Sequence, residues 1–311
     1  MRPRAARRSA GAIVVLLALC CALLGGCAGL GDTTQPLSGH LSIDGSTALQ
    51  PLATKAAVLF TQHNPQVRID VSGGGSLKGV SDANAGKVDI GDSDVYADPA
   101  LYPDPNLTDH LVAVVPFTMI TNLDVNVKSL SQAQIIAIYS TGQIRDWKDV
   151  GGPDMPIVPV VRPMTSGTRA TFRKYVLGGR DQKGTLLQSD SSQTVLQTVA
   201  QTPGAIGYLA LSYLDSMVNQ VAIDNKLPTP QNIHAGSYAF WSFEHMYTLG
   251  DANPLIEAFL NFMVGSEAQQ LASQLGYIPI ADAQIAFFQP TGAVPASAFV
   301  RRESEVRDAA A

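Results

Sequence analysis

Short apolar strands alternate with amphipathic helices over most of this chain. Val67, Ile69 and Val71 are separated by Arg68 and Asp70, which is the period of a half-buried strand, and the residues before them recur at helical spacing. A repeated strand–helix–strand order favours a mostly parallel sheet, because a helical crossover is what brings the next strand back in parallel. The first part of the chain therefore predicts an α/β fold.

Two long apolar segments interrupt this alternation. Residues 111–118 predict a buried strand, and the aromatic stretch 238–248 predicts a second segment of the same kind. Two such crossings would join two lobes by a hinge, with each lobe a mostly parallel sheet flanked by helices. The predicted boundaries are 40–115 with 246–295 for the first lobe, 116–245 for the second and 296–311 for a charged tail.

The N-terminus has the pattern of an export signal. Four arginines lie within residues 1–8, and an uncharged run from Gly11 to Leu24, too short to span a bilayer comfortably, leads into Leu24-Gly25-Gly26-Cys27. This ending resembles the bacterial lipobox, although a plain secretory signal with an incidental cysteine is the alternative. We expect residues 1–26 to be a lipoprotein signal peptide and 27–39 to be a lipidated Cys27 with its tether. The mature protein would then be extracytoplasmic, periplasmic or at the cell surface, and anchored to the cell membrane by lipid.

Charge and cysteine content narrow the possible functions. The formal net charge is −5, and it becomes −9 once the arginines of the signal are removed, so a nucleic-acid-binding surface is not expected. The three cysteines are Cys20, Cys21 and Cys27, which leaves the folded part without a thiol for a disulfide or a metal. We expect neither a metal site nor a cofactor.

Four segments place Gly, Ser, Thr or Asp immediately after a predicted strand. A helix N-terminus leaves backbone N–H groups unpaired and carries the positive end of the helix dipole, so strand-to-helix junctions can bind anions. The loops at the carboxyl ends of the strands also converge on one crevice. Each segment alone is equally consistent with ordinary helix caps and turns. The four segments are 44–48, 72–76, 89–94 and 161–169.

Asp94 and Arg162 would give such a crevice two chemically different ends. A planar guanidinium can hold two oxygens of an oxyanion. A buried carboxylate can accept a hydrogen bond from the proton of monohydrogen phosphate, but it meets only lone pairs on sulfate. Leaving buried polar groups unpaired in this way can discriminate by roughly 10⁴ to 10⁵. The pair therefore favours phosphate over sulfate.

Taken together, these segments resemble the phosphate-binding proteins of Pst-type ABC transporters. The resemblance covers about Leu41 to Pro279 and is carried by short motifs in the same order and spacing. The motifs are Gly45-Ser46-Thr47, Gly74-Gly75-Ser76, Asp89-Ile90-Gly91 with Ser93-Asp94, Arg162 before Ser166-Gly167-Thr168, and Pro203-Gly204-Ala205-Ile206-Gly207-Tyr208.

The resemblance implies a two-lobed, type II periplasmic-binding-protein-like fold that closes over inorganic phosphate. It also implies delivery of phosphate to the permease subunits of an ABC importer. Two departures are that Ala48 stands where some members have an aromatic residue, and Met164 where some have an acid. The positions that match phosphate contacts of the family are Ser46, Thr47, Ala48, Ser76, Asp94, Arg162, Ser166, Gly167 and Thr168.

Three alternatives stay open at this point. Another tetrahedral oxyanion, sulfate or molybdate, could use the same helix N-termini, and a sensory lipoprotein could keep the fold without transport. A secreted phosphatase would need a nucleophile with a base or a metal cluster. The five histidines have no paired metal spacing, and no Gly-x-Ser-x-Gly elbow is present. We therefore expect a binding protein rather than an enzyme.

Overall fold

Strands and helices alternate along the part of the chain that the computed structural model describes, which is residues 36–186, 191–251 and 253–283. The predicted signal peptide, Cys27 and the charged tail lie outside these residues. In chain order the elements are β1 (Ser38–Gly45), α1 (Gln50–His63), β2 (Gln66–Val71), α2 (Ser76–Asn84), β3 (Ile90–Ser93), β4 (Leu107–Thr121), β5 (Ser129–Leu130), α3 (Gln132–Ile136), β6 (Val158–Val161), α4 (Gly167–Tyr175), β7 (Thr185–Leu186), α5 (Ser192–Gln201), β8 (Ala205–Ala210), β9 (Asn219–Ile223), α6 (Pro230–His234), β10 (Trp241–Leu249), α7 (Pro254–Val264), α8 (Ser266–Gln274) and β11 (Ile278–Pro279).

The strands form one sheet, parallel at both flanks and antiparallel through the middle. Its main path runs β2-β1-β3-β10-β4-β8-β6-β7. On one flank β1 pairs in parallel with β2 and β3, and on the other flank β6 pairs in parallel with β7 and β8. Strands β10 and β4 join the flanks through antiparallel pairs. The predicted α/β class is confirmed, and the antiparallel centre is a feature that the strand–helix alternation did not reveal.

Strand β4 connects the two flanks of the sheet. Its residues 107–116 pair with β10, and its last residues, 117–121, pair with β8. Every residue from Val112 to Thr121 is buried, because the strand has neighbours on both faces. The predicted buried strand at 111–118 is the central part of this longer element.

Helix α2 lies directly against the sheet because glycines meet at the contact. A β-carbon on Gly91 would lie 2.1 Å from the carbonyl oxygen of Gly79, and one on Gly79 would lie 2.3 Å from the carbonyl oxygen of Asp92. Only residues without a side chain allow this approach of backbone to backbone. The contact places the first residue of α2, Ser76, beside the end of β3.

Two predicted elements end or begin elsewhere. The sequence pattern predicts a helix over 131–139, and this segment is α-helical only to Ile136 before it continues as a π-helical turn, Ala137–Thr141. The pattern also predicts a strand at 88–90, and this strand is β3, which starts at Ile90. The carboxylate of Asp89 accepts hydrogen bonds from the backbone N–H and the hydroxyl of Ser42. Among the described helices none is both long and apolar enough to cross a membrane.

Candidate anion-binding site

The four junction segments converge at the carboxyl ends of β1, β2, β3 and β6. Parallel strands bring these ends to the same edge of each flank, as the sequence predicts. A cluster of polar side chains so completely withdrawn from water needs internal partners. All of the predicted contact residues are buried: Ser46, Thr47, Ala48, Ser76, Asp94, Arg162, Ser166, Gly167 and Thr168.

Asp94 is the centre of a first hydrogen-bond network. Its carboxylate accepts a hydrogen bond from the hydroxyl of Ser46 and another, of 2.7 Å, from Oγ1 of Thr168. Its backbone N–H donates to Oγ of Ser76 at 2.9 Å. The carboxylate thus accepts from hydroxyls of two junctions, and the backbone N–H of Asp94, a residue exposed by only 1%, donates to a hydroxyl of the third.

Ser46 also organises the start of the first helical segment. Its Oγ accepts from the backbone N–H groups of Ala48 at 3.0 Å and Leu49 at 3.1 Å. The hydroxyl hydrogen therefore points toward Asp94 while the oxygen holds the turn. The loop is further held at its carbonyls, since the Tyr213 hydroxyl donates to the carbonyl of Thr47 at 2.9 Å.

Arg162 is the centre of a second network. Its guanidinium, 1% exposed, donates from Nη2 to Oγ1 of Thr47 at 2.8 Å and from Nη1 to Oγ of Ser192 at 3.1 Å. Its carbonyl oxygen accepts from the side chain of Arg169. Burying a guanidinium without hydrogen-bond partners costs free energy, and the two hydroxyls supply such partners for Arg162.

The start of helix α4 fits between these networks. Ser166 caps the helix, with its Oγ accepting from the N–H of Arg169 at 3.2 Å. Gly167 lies against the first network, because a β-carbon there would be 2.3 Å from Oγ of Ser76 and 2.9 Å from Cβ of Asp94. Ser166 is thus both a cap and a lining residue, and Gly167 is the point where the segment after β6 meets the segments after β2 and β3.

Two more carboxyl groups lie behind Asp94. Burial raises the pKa of Asp92 well above its usual range, and the nearby Asp44 and Asp94 raise it further. Burial likewise raises the pKa of Glu244, with added repulsion from Asp94 and Asp92. Neither carboxyl has a hydrogen-bond partner among the described residues. Burial therefore disfavours the ionised form of both carboxyls, which limits the negative charge near an incoming anion.

Residues 31–267 match the family described as the PBP superfamily domain. The phosphate-binding protein PstS of Bacillus subtilis (strain 168) is 42% identical over 254 residues, which cover 81% of this chain and 84% of that protein.

The chain belongs to the PstS family.

Solved PstS-like structures have the same fold. A phosphate ABC transporter substrate-binding protein with bound phosphate from Clostridium perfringens superposes with a TM-score of 0.72 at 29% identity, covering 78% of this chain and 99% of that chain. An ABC-type phosphate transport receptor from Vibrio cholerae superposes with a TM-score of 0.62 at 26% identity, covering 76% and 99%. The type II periplasmic-binding-protein-like fold expected from the sequence is confirmed.

The departures from some PstS family members have different structural consequences. Met164, where some members carry an acid, is 70% exposed, so its side chain projects away from the buried guanidinium. Ala48 is completely buried, and the hydroxyl of Tyr277 donates to its carbonyl oxygen. A tyrosine from between α8 and β11 thus contacts the backbone at this position.

Ser192 is the residue of the site that the sequence reading missed. The sequence pattern predicts a helix from Thr194 to Gln201, whereas α5 starts at Ser192 with Ser191 as its N-cap. Two consecutive serines before the apolar pair Val195 and Leu196 are a helix-start signal that could have placed the boundary correctly. Its role in the site could not be read, because it depends on contacts with residues distant in sequence.

Proposed function

We propose that this protein captures inorganic phosphate between Asp94 and Arg162 and delivers it to an ABC importer. One observation carries the proposal: a carboxylate and a guanidinium, both 1% exposed, lie in adjacent networks joined through the neighbouring residues Ser46 and Thr47. An anion held there would meet donors from Arg162 and an acceptor from Asp94. The phosphate-binding names of the relatives support the same ligand.

The carboxylate decides between phosphate and other oxyanions. Monohydrogen phosphate can donate its proton to Asp94, whereas sulfate and molybdate present only lone pairs to it. An unpaired contact of this kind in a buried site costs about 1–3 kcal/mol or more for each group left without a partner. Phosphate is therefore the ligand that satisfies both ends of the site.

The proposed contacts are the nine residues predicted from the sequence. Ser46, Ser76, Thr168 and Asp94 would bind at the acceptor end, and Thr47 with Arg162 at the donor end. Ser166 and the backbone N–H of Gly167, at the start of α4, would complete the shell together with Ala48, whose N–H donates to Oγ of Ser46 in this structure. We propose binding rather than catalysis, since the relatives of this chain are named as phosphate-binding and phosphate-transport proteins.

We further propose two lobes on either side of this site. The first includes β1, β2 and β3, and the second includes β6 and β8. Strand β10 pairs with β3 and with residues 107–116 of β4, so the second crossing is best placed just before Trp241, a few residues before the sequence-based boundary at 245. The 2.7 Å hydrogen bond from Thr168 to Asp94 would then run from one lobe to the other.

Delivery requires the protein to stay near its importer. We propose that Cys27 is the lipid-anchored first residue of the mature protein and that the protein works outside the cytoplasm. Attachment through lipid is consistent with the described helices, none of which is suited to crossing a membrane.

The proposal is tested by calorimetric titration of the purified protein, freed of bound anion, with phosphate and with sulfate at neutral pH. Phosphate binding with sulfate excluded is the expected result. Asp94→Asn removes one acceptor oxygen and should weaken phosphate binding about 10- to 100-fold while narrowing the gap to sulfate. The exposed Asp104→Asn is the matched control. Absence of heat with phosphate would refute phosphate capture.

A further inference from the structure

Ser192 closes a ring of hydrogen bonds with Arg162 and Thr47. Its Oγ accepts from Nη1 of Arg162 at 3.1 Å, its backbone N–H donates to Oγ1 of Thr47 at 3.2 Å, and the two hydroxyl oxygens are 3.3 Å apart. The third side of the ring is the 2.8 Å bond from Nη2 of Arg162 to Thr47. Three segments far apart in the sequence therefore meet at one point.

The ring is closed off from solvent. Ser192 is 0% exposed, Arg162 1% and Thr47 4%. Ser192 is the first residue of α5, so its N–H is one of the groups that the helix itself does not pair. That N–H is used here to hold a threonine that follows β1. Ser192 is thus held through both its backbone N–H and its side-chain hydroxyl, which constrains its position more than a side-chain contact alone.

The hydrogen bonds restrict the hydroxyl protons of Thr47 and Ser192 to two arrangements. A hydroxyl oxygen has two acceptor lone pairs and one donor hydrogen. Oγ1 of Thr47 already accepts from Arg162 and from the N–H of Ser192. The hydroxyl hydrogen of Thr47 must then donate, either to a group outside the ring or to Oγ of Ser192. If it donates to Ser192, the hydroxyl hydrogen of Ser192 donates to a group outside the ring. In both arrangements the ring presents a hydroxyl donor.

We infer that Ser192 is a positioning residue of the phosphate site, an inference that rests on the proposed function. It orients the guanidinium of Arg162 and makes the hydroxyl of Thr47 a donor. This end of the site then offers hydrogen atoms only, which matches the unprotonated oxygens of phosphate. The one acceptor needed for the proton of phosphate lies at Asp94.

Two substitutions separate the two contacts of Ser192. Ser192→Ala removes the hydroxyl and keeps the N–H. Ser192→Pro removes both, and the first position of a helix is the one that tolerates proline, after a residue that is extended as Ser191 is. We expect Ser192→Ala to weaken phosphate binding about tenfold, and Ser192→Pro to weaken it further. Ser191→Ala is the control, because it removes only the cap to the N–H of Thr194; it should bind phosphate as the unmodified protein does.

A double-mutant cycle distinguishes positioning from a general effect on folding. Thr47→Val removes the hydroxyl through which the N–H of Ser192 acts, so Ser192→Pro should cost much less affinity in the Thr47→Val protein than in the unmodified one. Titrations with inorganic phosphate up to millimolar concentration, with circular dichroism as a folding check, give the four values. If Ser192→Pro does not fold, the same cycle is measured with Ser192→Ala. That cycle tests the positioning role through the contact between the hydroxyls of Ser192 and Thr47.

Failure of the positioning role of Ser192 can be distinguished from failure of phosphate capture itself. If the unmodified protein binds phosphate and both Ser192 variants bind it equally well, the positioning role is overturned. Equal losses in the presence and absence of the Thr47 hydroxyl would also overturn it, because they would indicate a structural effect. Loss of binding in Ser191→Ala to the same extent would assign the effect to the start of α5 and not to Ser192.

Discussion

Thr168 donates a hydrogen bond of 2.7 Å to the carboxylate of Asp94, although 74 positions separate the two residues. Thr168 lies in the first turn of α4, and Asp94 directly follows β3. The bond therefore links the two flanks of the sheet at the point where the candidate ligand would sit.

Gly167→Ala should force the site open. The new β-carbon would stand 2.3 Å from Oγ of Ser76 and 2.9 Å from Cβ of Asp94, so α4 or the opposing loop must shift. Overpacking of this kind costs about 1–3 kcal/mol. We expect a lower free energy of unfolding together with weaker phosphate binding, measured by denaturant titration and calorimetry. Gly265→Ala, whose β-carbon would lie 3.2 Å from its nearest neighbour, is the control and should leave binding unchanged.

Arg162→Lys should weaken phosphate binding about 10- to 100-fold even though the charge is kept. A single ammonium group cannot reproduce the fork that bonds both Thr47 and Ser192. Arg173→Lys, at an exposed ion pair with Asp181, is the matched change and should have no effect on affinity. Equal affinities of the Arg162→Lys and unmodified proteins in calorimetry would show that charge alone matters.

Glu244→Gln should change how stability depends on pH. The pKa of Glu244 is raised in the native state, mainly by burial, so the native protein holds a proton that the unfolded chain releases above the usual glutamate pKa. Stability contributed by this group is present at acidic pH and is lost as pH rises toward the native pKa. Over that window each such group contributes a fall of about 1.4 kcal/mol per pH unit.

The measurement is the free energy of unfolding from pH 5 to 8. We expect a shallower fall in Glu244→Gln than in the unmodified protein, and Asp92 should account for part of the slope that remains. Glu257→Gln, on the exposed face of α7, should retain the original slope. Parallel curves for all three proteins would mean that Glu244 is ionised in the native state.

Cys27→Ser should release the protein from membranes. The proposed lipid is attached through the thiol of Cys27, and a serine cannot accept it in that linkage. Fractionation of producing cells should move the protein from the membrane pellet to the soluble extracytoplasmic fraction. If it stayed in the pellet, attachment would have another cause; phosphate affinity should be the same for both proteins.

Local patterns predicted most of the elements and the strand-to-helix junctions that the structure brings together. The 3.6-residue period around Leu52 and Phe60, and the glycine and hydroxyl residues after three strands, need only neighbours in sequence to be read. The asymmetry between Asp94 and Arg162 followed from side-chain chemistry alone. These are features that each segment carries independently of the rest of the chain.

Features that depend on register and distant contacts could not be predicted. Glu244 alternates with residues of an apolar strand, and its burial behind Asp94 is determined by the pairing of β10 with β3 and β4. The ring that includes Ser192 requires three segments to meet. The π-helical turn after Ile136 likewise has no clear local signal.

Because the backbones of Gly79 and Gly91 are in contact, the width of the site is set by the main chain. Side chains can adopt other rotamers to suit a larger ion, but two backbones in contact have no such freedom. Ser76 is the first residue of α2, so this contact restricts how far it can move from Asp94. We expect the close seat of this helix, as well as the hydroxyls of the site, to limit tolerance for an anion with longer bonds, such as arsenate.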